Sequence, residues 1–282
     1  MKHILVFGEN SYIGDSFADF AKDKYQITTI SSHGNGWETI DFSAFDAILH
    51  CAGVAHVKTT KENEKLYYDI NCDLAVNVAK KAKAEGVGQF IFLSSQSIYV
   101  NSRTPTVIDI NTQPNPSTVY GKSKLKAEIE LKKISRDNLK ICIVRPPMVY
   151  GKNCKGNFIS LVKLANKTPI FPNYPNERSM IYVEHLCNFI CELIDAAKEG
   201  YFLPQNCEYI NTTELVKEIA SCYGKKIRTI KIFNPLIRIL SKKISVFNKV
   251  FGNLCYSQLG NESDYCIVGF EESIKRSIGE NE

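Results

Sequence analysis

Five short apolar runs, separated by longer stretches with helical periodicity, limit what this chain can fold into. The runs are rich in β-branched and aromatic residues, which favour buried parallel strands. Helical periodicity occupies 12–22, 63–85 and 117–134 between them. Alternation of this kind predicts an α/β fold, a doubly wound parallel sheet covered by helices. The predicted strands are HILVFG (3–8), YQITTI (25–30), DAILHCAG (46–53), QFIFLSS (89–95) and LKICIVRP (139–146).

The chain divides into a regular first half and a less regular second half. Its 282 residues suffice for a large core, and we expect two subdomains. Residues 31–46 are too polar and glycine-broken for a full helix, so strands two and three are joined by a loop. We predict a larger domain over 1–150, with 179–197 packing back onto it, and a smaller C-terminal subdomain over 151–282. The elements predicted in that second half are a helix at 157–166, a strand and helix at 180–197, and a helix at 212–222.

Composition excludes several classes of protein. The net charge of +5 is modest and the two signs are mixed along the chain, so we predict no nucleic-acid binding. The ten cysteines show no C-x-x-C spacing. Cys187 and Cys191 are expected to be small buried side chains rather than metal ligands, and no metal site is predicted. Unpaired thiols suit a reducing cytoplasm, and no signal peptide or membrane span is expected.

One apolar segment with interspersed lysines, IKIFNPLIRILSKKISVFNKVFG, stands in the last third of the chain. Such a segment either lies on a membrane surface or packs as an amphipathic helix on the C-terminal subdomain. Pro235 and Gly252 confine it to a short stretch, which favours the packed helix.

A glycine loop follows the first strand in the sequence VFGENSYIG. Gly8 ends the strand and Gly14 lies in the first turn of the next helix. Glycine there lets backbone amides, such as those of Tyr12 and Ile13, approach a pyrophosphate that the helix dipole favours. Ser11 stands where a further glycine is usual, so the loop is set back from the phosphates or offers them a hydroxyl. A plain tight turn is the alternative.

The cofactor choice stays open at the end of the second strand. The segment Ser-Ser-His that begins at Ser31 has no carboxylate to hold ribose hydroxyls and no Arg or Lys to attract a 2′-phosphate. Either NAD or NADP is compatible with it. Asp41 is placed to accept from an adenine amino group or is a solvated turn residue. Ala52 and Gly53 follow the third strand, where small residues leave room for adenosine.

Tyr120 and Lys124 carry the strongest indication of chemistry. They stand at i and i+4, on a helical face that continues through Ala127 and Leu131 and so faces inward. An inward lysine is costly unless it has a partner or a task. A nearby ammonium stabilises a phenolate, which lowers the tyrosine pKa towards neutrality and makes a general acid/base. The same lysine can donate to ribose hydroxyls.

Three polar residues join this pair as candidates. Ser94 and Ser95 end the fourth strand, where a hydroxyl can bind the oxygen that Tyr120 protonates; an ordinary serine-rich strand end is the alternative. Asn71, in the predicted helix 63–85, either braces a backbone or water linked to Lys124 or lies on the helix surface.

In this order the segments resemble the extended short-chain dehydrogenases, the NAD-dependent epimerase/dehydratase family that modifies nucleotide sugars, over roughly residues 3 to 277. The resemblance implies a Rossmann-type fold in which 1–150 bind the dinucleotide and 151–282 bind the nucleotide sugar. It implies Ser95 as substrate hydroxyl, Tyr120 as acid/base, Lys124 as cofactor anchor and Asn71 as the fourth member.

Further roles follow from the same resemblance. Pro146, in RPPMVYG, corresponds to the segment beside the nicotinamide. Asn157 corresponds to a helix that caps the diphosphate, and Arg178 to a strand that carries an arginine to it; a surface salt bridge is the alternative for Arg178. Phe171 would lie beside the nucleotide base.

The closing segments are similar to those of bacterial UDP-glucose 4-epimerases, so a UDP-hexose C4 epimerase acting through a 4-keto sugar is expected. Gln96 and Ser97 supply no carboxylate pair after Ser95, which sets dehydration aside. A 4-ketoreductase and a dinucleotide-sensing protein are the alternatives. Family members dimerise through helices that correspond to 63–85 and 117–134, which implies a homodimer.

Overall fold

The computed structural model describes residues 1–55, 57, 59–100, 107–135, 138–258 and 264–279, and it confirms the predicted α/β fold. The strands are β1 (His3–Phe7), β2 (Gln26–Ile30), β3 (Ala47–His50), β4 (Gln89–Leu93), β5 (Val107–Ile108), β6 (Lys140–Val144), β7 (Met148–Tyr150), β8 (Ile170–Pro172), β9 (Met180–Tyr182), β10 (Gly200–Phe202), β11 (Arg228–Ile230) and β12 (Cys255–Tyr256). The α-helices are α1 (Tyr12–Ala21), α2 (Glu64–Tyr68), α3 (Ala75–Ala84), α4 (Val119–Ile134), α5 (Asn157–Lys167), α6 (Val183–Asp195), α7 (Thr212–Cys222), α8 (Asn234–Lys243), α9 (Ser245–Phe251) and α10 (Phe270–Ile278).

A six-stranded parallel sheet in the order β10-β6-β4-β3-β1-β2 forms the centre of the fold. All five predicted strands belong to it. The four residues of β3 and the five of β4 are buried throughout, as apolar runs in parallel sheets should be. The sixth strand, β10, was not predicted, because its three residues are half-buried and carry no extended apolar run.

The order of the strands reverses between β1 and β3. The chain leaves β1 for β2 on one side and returns to β3 on the other, with Phe7 opposite both Ile30 and His50. In such sheets ligands bind outside the carboxyl ends of the strands at the point of reversal. The returning crossover contains only 3₁₀ turns at Gly36–Thr39 and Phe42–Ala44, which agrees with the predicted loop.

The predicted helix over 63–85 is broken in the middle. A π-helical turn, Asp69–Leu74, separates α2 from α3. The hydrophobic pattern is the same in both helix types, so the sequence did not indicate this turn. π turns are rare and often mark functional sites. The inward face predicted for α4 is confirmed, since Ala127 and Leu131 are fully buried in the main core.

The chain forms two compact units. Unit 1 contains Met1–Thr104, Ile110–Pro147 and Val183–Pro204. The first predicted boundary at residue 150 therefore lies at 147, and the returning segment begins at 183 rather than 179. Unit 2 contains Pro105–Asp109, Met148–Tyr182 and Gln205–Glu282, with the short strand pairs β7-β9, β8-β11 and β5-β12.

The amphipathic segment of the last third forms α8 and α9 in unit 2. Pro235 lies in the first turn of α8, and Gly252 follows α9, as expected. Ile237 and Phe251 are buried, so part of the segment packs on unit 2, while other large apolar side chains face solvent. Within the described residues no helix is both long and apolar enough to cross a bilayer. Cys187 and Cys191 are buried in α6.

Candidate active site

The glycine loop joins β1 tightly to β3. Gly8 has φ 126°, a conformation that favours glycine, and its amide donates to the Ile30 carbonyl at 3.0 Å. A Cβ on Gly8 would lie 2.7 Å from the backbone nitrogen of Ala52. A side chain at this position would therefore push apart the ends of the two strands at the reversal point.

Ser11 caps α1. Its Oγ accepts a hydrogen bond from the Gly14 amide at 3.2 Å, and a Cβ on Gly14 would collide with that oxygen. The hydroxyl thus stabilises the start of the helix. The sequence had suggested only that Ser11 sets the loop back from the phosphates or offers them its hydroxyl. Tyr12 and Ile13 are the first two residues of the helix, so their amides lie in its first turn, where an anion is favoured.

Ser31 and Asp41 both take part in local turns. Ser31 Oγ accepts from the His33 amide at 3.2 Å. Asp41 Oδ1 accepts from the Ser43 hydroxyl at 2.6 Å and from the Ser43 amide at 2.9 Å, which lowers the pKa of its carboxyl. The exposed Asp41 is therefore a turn residue that caps its own turn, which was the alternative given for it. Its contact with adenine stays a prediction.

Ser95, Tyr120 and Lys124 come together at the carboxyl end of β4. Tyr120 lies in the first turn of α4, with the Ser95 hydroxyl near enough to its phenol to affect the phenol pKa. Ser95 Oγ donates a hydrogen bond to Ser97 Oγ at 3.1 Å. Lys124 is 4% exposed, and its Nζ donates to the Leu93 carbonyl at 2.8 Å. The ammonium also lies 4.5 Å from the centroid of the Phe92 ring. The inward lysine is thus held by a carbonyl and an aromatic face.

The pKa values in this group differ from the prediction. Burial raises the pKa of Tyr120, and the Ser95 hydroxyl opposes this change. Burial lowers the pKa of Lys124 to about 8, against smaller effects of Cys51 and Glu128. The expected lowering of the tyrosine pKa by the ammonium is therefore wrong for this arrangement. The cost of burying a phenolate dominates, and Nζ is directed to the Leu93 carbonyl.

Asn71 braces the backbone beside this group. It lies in the π turn and is fully buried, so the surface alternative is wrong. Its Oδ1 accepts from the Val54 amide at 2.7 Å, and its Nδ2 donates to the Val54 carbonyl at 3.0 Å and to Ser123 Oγ at 3.0 Å. A Cβ on Gly53 would lie 3.1 Å from Asn71 Oδ1 and 3.3 Å from Lys124 Nζ. The predicted small residue after β3 therefore lies directly against Asn71 and Lys124.

The structure does not bring Ser94 to Tyr120. Consecutive strand residues point to opposite faces, and the buried Ser94 hydroxyl donates to Glu128. Glu128 in turn pairs with Arg145, whose Nε and Nη2 donate at 3.1 and 2.7 Å. Sequence patterns could not indicate this buried ion pair, because its members are 17 residues apart, one in α4 and the other directly after β6.

Two further residues were missed as site candidates. Gln96 is 7% exposed, and its Nε2 has no hydrogen-bond partner among the described residues. The backbone amide of Gln96 donates to the Pro146 carbonyl at 2.9 Å. This bond holds Pro146 beside the segment that follows Ser95. A Cβ on Gly121 would lie 2.6 Å from the Ser97 carbonyl oxygen, so glycine lets α4 start against that segment. A glycine after Tyr120 was visible in the sequence.

These features fit a dinucleotide. The first turn of α1 offers amides to an anion, and Gln96 presents a buried donor that has no acceptor among the described residues. All of them belong to unit 1.

Unit 2 contains a cavity of about 270 Å³. Its walls are mainly aliphatic, and Asn157, Arg178 and Lys249 contribute polar groups. Phe171 does not line it: the ring is 4% exposed and packs on Phe251 at a centroid distance of 5.8 Å. The residues that line the cavity are Met148, Asn157, Ser160, Leu161, Leu164, Arg178, Met180, Ile210, Thr212, Leu215, Lys249 and Val250.

Arg178 is held by backbone. Its Nη1 donates to the Gly252 carbonyl at 2.7 Å, and it forms no ion pair with a carboxylate in the described part of the chain, which excludes the salt-bridge alternative there. Burial lowers the pKa of this guanidinium. With Lys249 it places two cations on an otherwise apolar cavity, a combination suited to a ligand with an anionic and an apolar part.

Known proteins resemble this chain in sequence and in fold. Residues 4–202 match the NAD dependent epimerase/dehydratase family. A UDP-glucose 4-epimerase of Vibrio cholerae is 36% identical over 253 residues, which cover 79% of this chain and 76% of that protein. Two solved structures share the fold: UDP-glucuronic acid 4-epimerase from Bacillus cereus in complex with NAD (TM-score 0.73, 15% identity, 98% of this chain and 97% of that one), and dTDP-4-dehydrorhamnose reductase from Bacillus anthracis in complex with NADP (TM-score 0.72, 19% identity, 98% of each chain).

Proposed function

The chain belongs to the NAD-dependent epimerase/dehydratase family, and within it we propose that it is a nucleotide-sugar C4 epimerase acting on a UDP-hexose. It is an enzyme of the extended short-chain dehydrogenase type that uses NAD or NADP. The observation that carries the proposal is the grouping of the Tyr120 phenol with the Ser95 hydroxyl, which acts on the phenol pKa, and with the buried Lys124 one helical turn away. The 36% identity with a UDP-glucose 4-epimerase supports the choice of reaction.

Tyr120 is the acid/base in this proposal. In its phenolate form it takes the proton of the sugar C4 hydroxyl while hydride leaves C4, and the resulting phenol returns that proton to the C4 oxygen after the 4-keto sugar has presented its other face. A bound nicotinamide would supply the hydride acceptor and donor that this reaction needs. Ser95 holds the reacting oxygen through its hydroxyl. Lys124, held at the Leu93 carbonyl, would donate to the ribose hydroxyls of a bound cofactor.

The cavity of unit 2 is our candidate for the nucleotide diphosphate. Arg178 and Lys249 supply cations for phosphate oxygens, and Asn157 stands at the first position of α5, where the helix N-terminus also favours an anion. The aliphatic walls would cover the base and ribose. Phe171 is left out of this set because it is buried in the core.

The test is to incubate the purified protein with UDP-glucose, UDP-galactose and their N-acetyl forms without added reductant. We expect interconversion of C4 epimers with no net change in nicotinamide absorbance. Tyr120→Phe should abolish turnover and retain cofactor binding, whereas Tyr68→Phe, the same change at a tyrosine outside the site, should be active. A fully active Tyr120→Phe enzyme would refute the acid/base role.

The second candidate is a nucleotide-sugar 4-ketoreductase with the same residues. It is favoured by the segment at Ser31, where no carboxylate stands to hold an NAD ribose. Turnover only of a 4-keto sugar, with loss of one NAD(P)H per product, would identify it and overturn the epimerase proposal. A homodimer formed through the helices over 63–85 and 117–134 stays a prediction, which sedimentation equilibrium tests. A cytoplasmic location stays a prediction as well.

A further inference from the structure

The segment around α8 and α9 is strongly basic. Between Glu218 and Glu262 the sequence contains no aspartate or glutamate but eight lysines and arginines. These eight charges exceed the net charge of +5, so the rest of the chain is net negative. The residues are Lys225, Lys226, Arg228, Lys231, Arg238, Lys242, Lys243 and Lys249.

The same segment exposes large apolar side chains. Five of the fifteen such side chains that are exposed in the described residues lie between Ile232 and Ile244, and they are 42 to 78% exposed. They are Ile232, Phe233, Leu236, Ile239 and Ile244. Single exposed apolar residues are ordinary, but a cluster of this kind marks an interaction surface.

The geometry of α8 explains how the helix is both packed and exposed. Ile237 is 3% exposed and holds one side of the helix on unit 2. Leu236 and Ile239, three residues apart, share another side that faces solvent. Lys231 and Arg238 lie close to them in sequence, and neither is paired with a carboxylate in the part of the chain that the structure describes.

We propose that this surface, the exposed side of α8 with Ile232, Phe233 and Ile244, docks unit 2 on an anionic lipid bilayer. Aliphatic side chains inserted at the level of the headgroups, with lysine and arginine among the anionic phosphates, are the two attractions that hold interfacial helices. The surface offers both. This proposal does not depend on the epimerase reaction.

A second copy of this chain fits the surface less well. A two-fold interface places a patch on itself, so it would bring these cations against the same cations without an intervening carboxylate. A nucleic acid would use the charges but not the exposed aliphatic cluster. An anionic bilayer satisfies the charges and the apolar residues together.

The experiment is co-sedimentation of the full chain with vesicles of phosphatidylcholine alone or mixed with phosphatidylglycerol. We expect binding to the anionic vesicles that weakens with salt, and little binding to phosphatidylcholine. Leu236→Glu/Ile239→Glu should lower the affinity on the order of tenfold or more, because it removes apolar contact and adds two like charges. Ile267→Glu, at an apolar residue of unit 2 that is 44% exposed outside the segment, is the matched control and should bind like the parent.

The charges are tested by reversal. Lys231→Glu/Arg238→Glu/Lys243→Glu should also reduce binding on the order of tenfold or more. Lys80→Glu/Lys132→Glu/Lys140→Glu changes the net charge equally at exposed residues of unit 1 and should retain binding. Equal loss in both triple variants would mean that net charge alone attracts the protein, and the docking surface would be wrong.

A third variant keeps the test valid if charge reversal prevents folding. The one native tryptophan, Trp37, is buried, so Ile232→Trp adds an emission signal at the most exposed residue of the surface. A blue shift on mixing with anionic vesicles supports the proposal. The proposal is overturned if the emission does not shift and the parent protein does not sediment with the vesicles. It is also overturned if the parent is a dimer that Leu236→Glu/Ile239→Glu converts to a monomer without any effect on lipid binding.

Discussion

Replacing Arg145 by methionine should destabilise the protein by about 3–5 kcal/mol, because it leaves a buried carboxylate unpaired. Arg145 is 5% exposed, Glu128 is 1% exposed, and two hydrogen bonds of 3.1 and 2.7 Å join them. The guanidinium also donates to the Tyr99 hydroxyl at 2.5 Å and lies 4.4 Å from the Tyr201 ring centroid. A methionine of similar length keeps much of the packing but none of these donors.

The double variant Glu128→Met/Arg145→Met should cost less than the sum of the two single variants. Each single variant leaves one buried charge without its ion-pair partner, whereas the double variant removes one hydrogen-bond partner from each of the neutral hydroxyls of Ser94 and Tyr99, at most about 1–3 kcal/mol each. We therefore expect the sum of the single effects to exceed the double effect by at least about 2 kcal/mol.

Urea unfolding followed by circular dichroism measures these values. Lys217→Met is the control, since the Lys217–Glu214 pair has a similar distance of 2.8 Å but is about half exposed, and its loss should cost under about 1 kcal/mol. An effect of Arg145→Met as small as that of the control, or strict additivity in the double variant, would refute the reasoning.

Three other outcomes are expected. Burial lowers the pKa of Lys124 from 10.5 to about 8, so between these pH values the unfolded chain binds more protons and the free energy of unfolding rises with pH by about 3 kcal/mol. Lys124→Met should lack that rise when urea unfolding is compared at pH 7 and pH 10. Gly8→Ala should destabilise more than Gly86→Ala, because both residues have positive φ but only the Cβ at Gly8 meets the Ala52 backbone, at 2.7 Å; thermal melts that rank them equally would contradict this. Gln96→Leu should leave the unfolding free energy within about 1 kcal/mol, because Nε2 has no partner to lose among the described residues, and yet lower kcat/KM; unchanged turnover would remove Gln96 from the site.

Much of the fold and the centre of the site could be predicted from local pattern. Runs of β-branched residues, spaced by helical periodicity, allow few arrangements other than a parallel sheet, and all five predicted strands are in it. The positions of Tyr120 and Lys124 on the inward edge of α4 follow from helical spacing alone. Glycine at residue 8 likewise indicates a positive-φ backbone conformation, which any other residue would adopt only with strain.

Other features depend on contacts between distant segments. The direction of Ser94 towards Glu128, the burial of Phe171 on Phe251, and the bracing of Val54 by Asn71 each join residues that are 17 or more apart. The sign of the pKa change at Tyr120 belongs here too, because it is set by how much water the packed structure removes.

The sequence alone thus determined the order of strands and helices along the chain and the side of α4 that carries Tyr120 and Lys124. Both follow from the periodicity of apolar residues within each single strand or helix. Only the tertiary structure decided which neighbouring serine meets Tyr120 and which apolar residues of α8 face outward. Those choices depend on how each element is rotated against its neighbours, and that rotation is fixed by side chains far away along the chain.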